Sequence, residues 1–588
     1  MTGQSGAAST RATRPARWIE PEPISIPSDW ETSPLVSRIL WKRGLRTAIE
    51  VRRFMNPQLA DLNNPFLMES MHAAVARLMA AIAGKQKVLL YGDYDVDGIT
   101  SIVILKTALR LAGLDTTFHV PHRLKDGYGM HAEVIEQAAA AGVTLIISVD
   151  TGIRANAFVE QAKAFGIDCI VTDHHLPEAT LPPAVAVLNP NRVDCRYPEK
   201  NLCGAGVTFK LIQALFESLA WDQSRRLKVL ASLLKLVAVA TVADVVPLEG
   251  ENRIIVKYGL LDLAQTRNPG LRALLAVSGF EQNQSPSAGQ VAFRLAPRIN
   301  AAGRMANASD AIEMFLTADE SRALTLANQM NDLNTERQQT EKDILEAILR
   351  ECEKIPVTNN DAALVFAGEN WHKGVVGIVA SRMVDRFHRP AFVLSIDTAT
   401  QKVQGSGRSA ANFHLLHALE SMPELFIKFG GHKQAAGLTL ELRNLESFRQ
   451  RFQALAQSQL NPEDFCKTYD FDARVELQEL NDETVDMLLA MAPFGMGNPA
   501  PLLLARHVQL AAPAEVFAEK HLRLKFRHNG RMLIMKAWEM GRHASELRTG
   551  DLLDIAFVVE DDPYSKSRGY SHWSATIKDF TITTGPTL

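Results

Sequence analysis

Between positions 86 and 189 the chain alternates short apolar runs with longer polar stretches. KVLLYG, TTFHV, TLIISV, DCIVT and AVAVLN are rich in Val, Ile and Leu, and most are separated by about 10 to 15 residues able to form a helix. No other feature restricts the fold as much. Strands that are apolar throughout must be covered on both faces, and helical crossovers make neighbouring strands parallel. The pattern therefore predicts an α/β unit built on a doubly wound parallel sheet.

Charged and imidazole side chains stand at the ends of three of these runs. Asp93, Asp95 and Asp97 alternate in GDYDVDG directly after KVLLY, Asp150 closes TLIISVD, and Asp173, His174 and His175 close CIVTDHH. Open parallel sheets bind ligands beyond the carboxyl ends of their strands, so these groups should converge in one crevice. Asp244 adds a lone acid in a helical, otherwise apolar stretch, where an unpaired carboxylate is costly. Any one of these residues could be a cap or a hydrogen-bonded polar group, and for Asp244 taken alone that is the simpler reading. The DxDxDG run alone could be a solvated turn. It is no EF-hand, because Ile104 occupies the place of the closing glutamate. Taken together, the acids and imidazoles call for metal. Acids with one or two imidazoles suit Mn²⁺ or Mg²⁺ better than zinc. Six or more candidate ligands exceed the needs of one ion and imply two, about 3.5 to 4 Å apart, the arrangement that activates a water for phosphoryl displacement.

The 588 residues correspond to about four folding units. The expected division is an N-terminal segment, partly disordered, at 1–65; the metal-bearing domain with a helical extension at 66–268; a helical region at 269–356; a second, smaller α/β lobe at 357–460; and a β-barrel at 461–588. Positions 319–354 contain neither Gly nor Pro and are apolar at both ends, whereas 334–343 has no apolar residue. This pattern predicts one long helix, either a strut across a solvent-filled cleft or a surface helix. In the last region FRHNGRM carries an Asn-Gly hairpin signal. Positions 520–537 hold six Lys or Arg and no acid, with His521, Arg523, Lys525 and Arg527 alternating with Leu522, Leu524 and Phe526. One strand face is then basic, either an ordinary solvated face or a track for the phosphates of a single strand.

The net charge of −3 means that any nucleic-acid partner must be met by such a local surface. The apolar stretch 233–248 is interrupted by Lys235 and Asp244 and is too short to span a bilayer. Five scattered cysteines without CxxC spacing argue for a reducing, cytoplasmic setting. The first 19 residues hold three Arg and no acid but no apolar segment, so a disordered tail is expected.

The DHH triplet with GDYDVDG, SVDTG and TVADVVPL resembles the DHH phosphoesterase superfamily. Together with VPHRLKDGYG, APRINAAGR, WHKGVVGIVASR, GSGRS, FGGHKQAAG and PFGMGNP, all in family order, it is most similar to the bacterial exonucleases specific for single-stranded DNA. The resemblance implies that Asp95, Asp97, Asp150, His174 and Asp244 are metal ligands, with Asp93 a ligand or the neighbour of one. Asp173 would orient His174, and His175 would face the scissile phosphate. It implies that Arg298, with Asn300, lies near the substrate backbone, and that Gly430, Gly431 and His432, beside Arg408 and Lys433, complete the phosphate site from across a cleft. It assigns an OB-like fold to the barrel, whose Arg523, Lys525 and Arg527 would then grip the strand. Degradation from the 5′ end, preference for DNA, and a role in repair and recombination follow from the resemblance alone. Single-stranded DNA is the expected partner of a monomeric chain, with a single-strand-binding protein or a helicase as further candidates. Two alternatives are a phosphoesterase of short oligonucleotides or cyclic dinucleotides, against which the barrel argues, and a non-catalytic strand-binding scaffold, against which the complete ligand set argues.

Overall fold

The computed structural model describes residues 16–22, 26–27, 29–123, 129–281, 283–410, 412–568 and 571–583. The N-terminal tail and the centre of the VPHRLKDGYG motif lie outside them. The first sheet has five parallel strands in the spatial order Thr116–His119, Lys87–Gly92, Val143–Val149, Asp168–Thr172, Ala186–Leu188. Side chains alternate across it. Val88, Leu90, Leu145, Ile147 and Ile170 face the helices Met71–Ala83, Val96–Leu111 and Gly204–Ser218, whereas Leu89, Tyr91, Ile146 and Cys169 face Glu133–Ala140 and Asn156–Ala164. Both faces are covered, which is why the strands read as unbroken apolar runs. The strand order reverses between Lys87–Gly92 and Val143–Val149, so the switch-point crevice opens between the ends that carry Asp93 and Asp150.

The second lobe, as expected, is a smaller α/β unit. Its five strands run Phe426–Gly431, Ala435–Glu441, Lys402–Arg408, Ala391–Asp397, Leu364–Glu369, only the last two being parallel.

One helix, Glu320–Lys354, joins the two lobes. Leu326, Ala327 and Met330 enter the first core, and Ile344 and Ile348 enter the second. Its polar middle is not open to water as a strut across a solvent-filled cleft would be. Asn334, Arg337 and Glu341 are buried. Arg337 donates to Glu341 Oε2 at 2.5 Å and to Asn334 Oδ1 at 2.8 Å, and Arg382 of the second lobe donates to Glu341 Oε1 at 3.0 Å. The polar groups satisfy one another and tie the lobes together. Beside them lies a cavity of 520 Å³ whose lining includes Asn300, Arg304 and Arg337.

In the C-terminal region Leu503–Leu510, Leu552–Asp561, Trp573–Thr583, Arg531–Ala537 and His521–His528 pair in that order, and the last returns to the first, closing a five-stranded barrel. The Asn-Gly signal is its tightest hairpin, with φ of 46° at Asn529 and 81° at Gly530, the left-handed pair that such a turn demands. Two helices of the N-terminal segment, Pro34–Lys42 and Ala48–Met55, contribute Leu35, Val36, Ile39, Leu40 and Val51 to the barrel's core. Among the described residues no single helix is long and apolar enough to cross a membrane.

Candidate active site

The crevice is built by short local devices. Asp95 caps the helix Val96–Leu111, its Oδ1 accepting from Asp97 N at 2.9 Å and Gly98 N at 3.1 Å. A Cβ on Gly98 would lie 2.4 Å from Asp93 O, so only glycine lets the loop fold back on itself. Asp97, in the first turn of the helix, receives Gly204 N at 2.5 Å and Ala205 N at 2.7 Å. These amides open the helix Gly204–Ser218 and bring its positive end to the carboxylate. A Cβ on Gly204 would meet Asp150 Cβ at 2.6 Å. Gly204 was not among the expected site residues, although GAG stands directly before an apolar helical run. Asp150 leaves its strand at φ 59°, and His174 and His175 follow the strand Asp168–Thr172.

Asp93, Asp95, Asp97, Asp150, His174, His175 and Asp244 meet in three overlapping groups. Asp150, His174 and His175 offer ligand atoms within 4.8 Å of one another, as do Asp97, His174 and Asp244, and Asp93, Asp95 and Asp150. His174 Nε2 stands 3.2 Å from Asp150 Oδ1, 3.7 Å from Asp244 Oδ2 and 3.8 Å from Asp97 Oδ2. Asp244 is not inside a helix, as its surroundings in the sequence implied, but immediately after the last residue of Gln223–Ala243. A carboxylate there faces the negative end of the helix dipole.

This electrostatic arrangement needs cations. Burial, reinforced by Asp95, raises Asp93 to about 8, and burial, reinforced by Asp97 and Asp95, raises Asp244 to about 9. Asp97 and Asp150 are also pushed up, first by burial. Asp150 Oδ1 is buried and receives no hydrogen bond. An oxygen-rich set with imidazole at one side fits Mn²⁺ or Mg²⁺, and the overlap of the three groups fits more than one ion.

Asp173 behaves differently. Burial pushes it up, but the ring of His175, bonded through Nδ1 at 2.7 Å, and the amide of Ile153 outweigh that and hold it below the usual range. Burial lowers His175, yet Asp173 more than compensates and raises it to about 9. The ring that Asp173 orients is therefore that of His175. For His174 it bonds the backbone amide alone, at 2.7 Å, which departs from the expected role.

The substrate-side expectations divide. Asn300 Oδ1 accepts from Val96 N at 3.3 Å, next to Asp95. Arg298 is turned elsewhere, donating to Asn331 Oδ1 at 3.1 Å and Arg294 O at 2.5 Å. Arg304, six positions on, donates to Gly374 O of the second lobe at 3.2 Å and lies within electrostatic reach of Asp95. Burial and the nearby Arg123 lower it to about 10, with Arg408 and Arg337 also within reach. Arg408 is lowered by burial and by Arg123, and Arg123 lies over the Tyr94 ring at 4.9 Å. Three arginines from separate elements thus share one corner, with a surplus of positive charge that suits a phosphate. Both arginines of RINAAGR had the same sequence signal, and helix phase separated them. Gly430 and Gly431 end the strand Phe426–Gly431, and His432 follows, lowered by burial, by Arg408 and by His175 across the cleft. His372 accepts from Gly374 N at 3.1 Å and closes a turn.

On the barrel, Arg523, Lys525 and Arg527 are exposed while Leu522, Leu524 and Phe526 enter the core. His521 departs from the basic face. It is buried, its Nδ1 accepting from Glu539 N at 3.0 Å.

Comparison with known proteins finds three family patterns along the chain. The pattern of the DHH family N-terminal domain matches residues 87–241, that of the DHHA1 domain 360–458, and that of the RecJ OB domain 471–572. The single-stranded-DNA-specific exonuclease RecJ of Escherichia coli (strain K12) is 38% identical over 507 residues, covering 84% of this chain and 86% of that protein. The crystal structure of RecJ in complex with Mn²⁺ from Thermus thermophilus superposes with a TM-score of 0.80 at 29% identity, covering 97% of this chain and 80% of that one. The Mg²⁺ complex of RecJ from the same organism gives 0.75 at 28% identity, covering 97% and 79%.

Proposed function

Because the chain belongs to the RecJ family of single-stranded-DNA-specific exonucleases, we propose that it hydrolyses phosphodiester bonds of single-stranded DNA from the 5′ end, in repair and recombination, with two Mn²⁺ or Mg²⁺ ions. The observation that carries this reading is the convergence of five aspartates and two histidines at the switch point of one sheet. Asp93, Asp95, Asp97, Asp150, His174 and Asp244 would hold the ions, which supply Lewis acidity and a nucleophile at neutral pH. His175, held cationic by Asp173, is poised to pair with the scissile phosphate. Arg304, Arg408 and Arg123 bind phosphate oxygens at one side, and His432 approaches from the second lobe. The buried bond network between the long helix and Arg382 keeps the two lobes in register around the strand.

The barrel favours a polymer over a short oligonucleotide or cyclic dinucleotide, because its basic strand has no role with a substrate confined to the crevice. All the site's groups come from one chain, so a monomer suffices. The five free cysteines suit a reducing cytoplasm, where a single-strand-binding protein or a helicase would be met on the same substrate.

Digestion of end-labelled single-stranded and duplex DNA with Mn²⁺, Mg²⁺ or chelator tests the proposal. Label at the 5′ end should leave first, from single strands only, and chelator should stop its release. Release from the 3′ end, equal attack on duplex, or hydrolysis in chelator would each refute the corresponding part.

A further inference from the structure

The turn that follows Asp244 is pressed from outside by the barrel domain. After Asp244, Val245 takes φ 59°, a conformation rare for a β-branched residue, and residues 246–249 lead into the helix Gly250–Leu263. Leu248 N donates to Met496 O at 2.8 Å. A Cβ on Gly495 would lie 2.7 Å from Leu248 Cδ1, and one on Gly497 would lie 3.0 Å from Pro247 Cβ and 3.1 Å from Glu249 Oε1. The two glycines therefore let this loop lie flat against 247–249.

The loop itself is stiff. Gly495 and Asn498 exchange backbone hydrogen bonds of 2.9 and 3.2 Å. The Asn498 side chain is buried, its amide donating to Met491 O at 2.9 Å and Pro493 O at 2.8 Å while its oxygen accepts from Arg43 of the N-terminal segment. From the inner side, Asn252 Nδ2 holds Pro247 O at 3.0 Å.

We infer that the hairpin 494–498 is a positioning element for Asp244, a main-chain clamp through which the barrel domain fixes the turn 245–249 and keeps the carboxylate aimed at Asp97 and His174. The inference rests on the reading of this cluster as a metal centre. Asp244 sits at the carbonyl end of its helix among other carboxylates, so both the helix and its neighbours drive it outward. A left-handed valine beside it persists only where its surroundings over-determine it. The hairpin supplies that constraint, and metal affinity becomes a property of the whole chain.

The test is Gly497→Ala in the full chain, with Mn²⁺ binding measured by calorimetry in the absence of DNA. At φ 71° the added Cβ is unfavourable and also pushes on Pro247. Gly497→Asn, better tolerated in the left-handed region, serves if the alanine variant does not fold. Mn²⁺ affinity should fall about tenfold, the lower end of what losing support for a ligand costs. Binding of single-stranded DNA in chelator should be unchanged, and raising Mn²⁺ should restore hydrolysis. Met496→Ala, at a residue that is 54% exposed, should match wild type because the clamp uses its carbonyl. A folded Gly497 variant that binds Mn²⁺ like wild type overturns the inference, as does equal loss of Mn²⁺ and strand binding. If the wild-type chain binds no Mn²⁺, the metal-centre reading fails and takes this inference with it.

Discussion

Replacing Arg523, Lys525 and Arg527 together by alanine isolates the barrel's contribution to strand binding. All three are exposed on the strand His521–His528, while Leu522, Leu524 and Phe526 on its other face stay in the core. The variant should therefore fold, with stability within about 0.5 kcal/mol per site of wild type. Each lysine or arginine that contacts a phosphate contributes about 0.7 to the log-log dependence of single-strand affinity on salt. Lys525 and Arg527 give about 1.4 together, and Arg523 raises this to about 2.1 if its ion pair opens on binding. That pair, to Glu515 at 3.1 Å with the arginine 45% exposed, has little to lose. Over a fourfold rise in salt, about 50 to 200 mM, wild type should lose about 7-fold to 18-fold more affinity than the variant. Fluorescence anisotropy of a long labelled strand in chelator, which prevents cleavage, measures both slopes. The residues belong to a different domain from the metal cluster, so hydrolysis of an oligonucleotide too short to reach the barrel should hardly change. An unchanged slope in a folded variant would make this face an ordinary solvated surface. Equal losses on short and long substrates would place the residues in or near the crevice.

Asp150→Asn should raise the melting temperature of the metal-free protein, because burial first and the neighbouring aspartates second make ionisation of this carboxyl costly in the folded chain, while Mn²⁺ should stabilise the variant less than wild type. Hydrolysis should nearly vanish, and retention of more than about a tenth of the wild-type rate, 1.4 kcal/mol in the barrier, would count against a central ligand. Lys210→Met leaves the buried carboxylate of Glu251, 2.6 Å from the lysine, with only the Asn63 amide and the Tyr197 hydroxyl and no cation. Denaturant unfolding should show a loss of about 3 to 5 kcal/mol, and less than about 1 kcal/mol would mean that these two neutral donors suffice. His432→Ala should lower kcat/KM about tenfold, the worth of one hydrogen bond to a charged group, with Mn²⁺ affinity untouched. Wild-type kinetics would remove the second lobe from the site.

What rests on local spacing was legible before folding was considered. Apolar runs, each long enough for one strand and separated by one helix, leave few options besides a parallel sheet covered on both faces. Asp93, Asp150 and His174 at the ends of such runs meet because the ends of parallel strands meet. The alternation from Leu522 to Arg527 assigned its two faces for the same reason, since a strand's side chains have a period of two.

What depends on residues distant in the chain emerged only from the fold. Whether Arg298 or Arg304 comes within electrostatic reach of Asp95 depends on the phase of one helix against another, and their shared motif does not encode it. Asn334, Arg337 and Glu341 read as a solvated stretch, yet they are buried because Arg382, 41 positions beyond Glu341, completes their hydrogen bonds. Asp173 turned to the ring of His175 because that ring, and not the ring of His174, lies within 2.7 Å of its oxygen. The support of Asp244 by a loop some 250 positions away left no pattern around the aspartate itself. Periodicity records which face of an element is buried, whereas the partner on that face is chosen only when the chain has closed on itself.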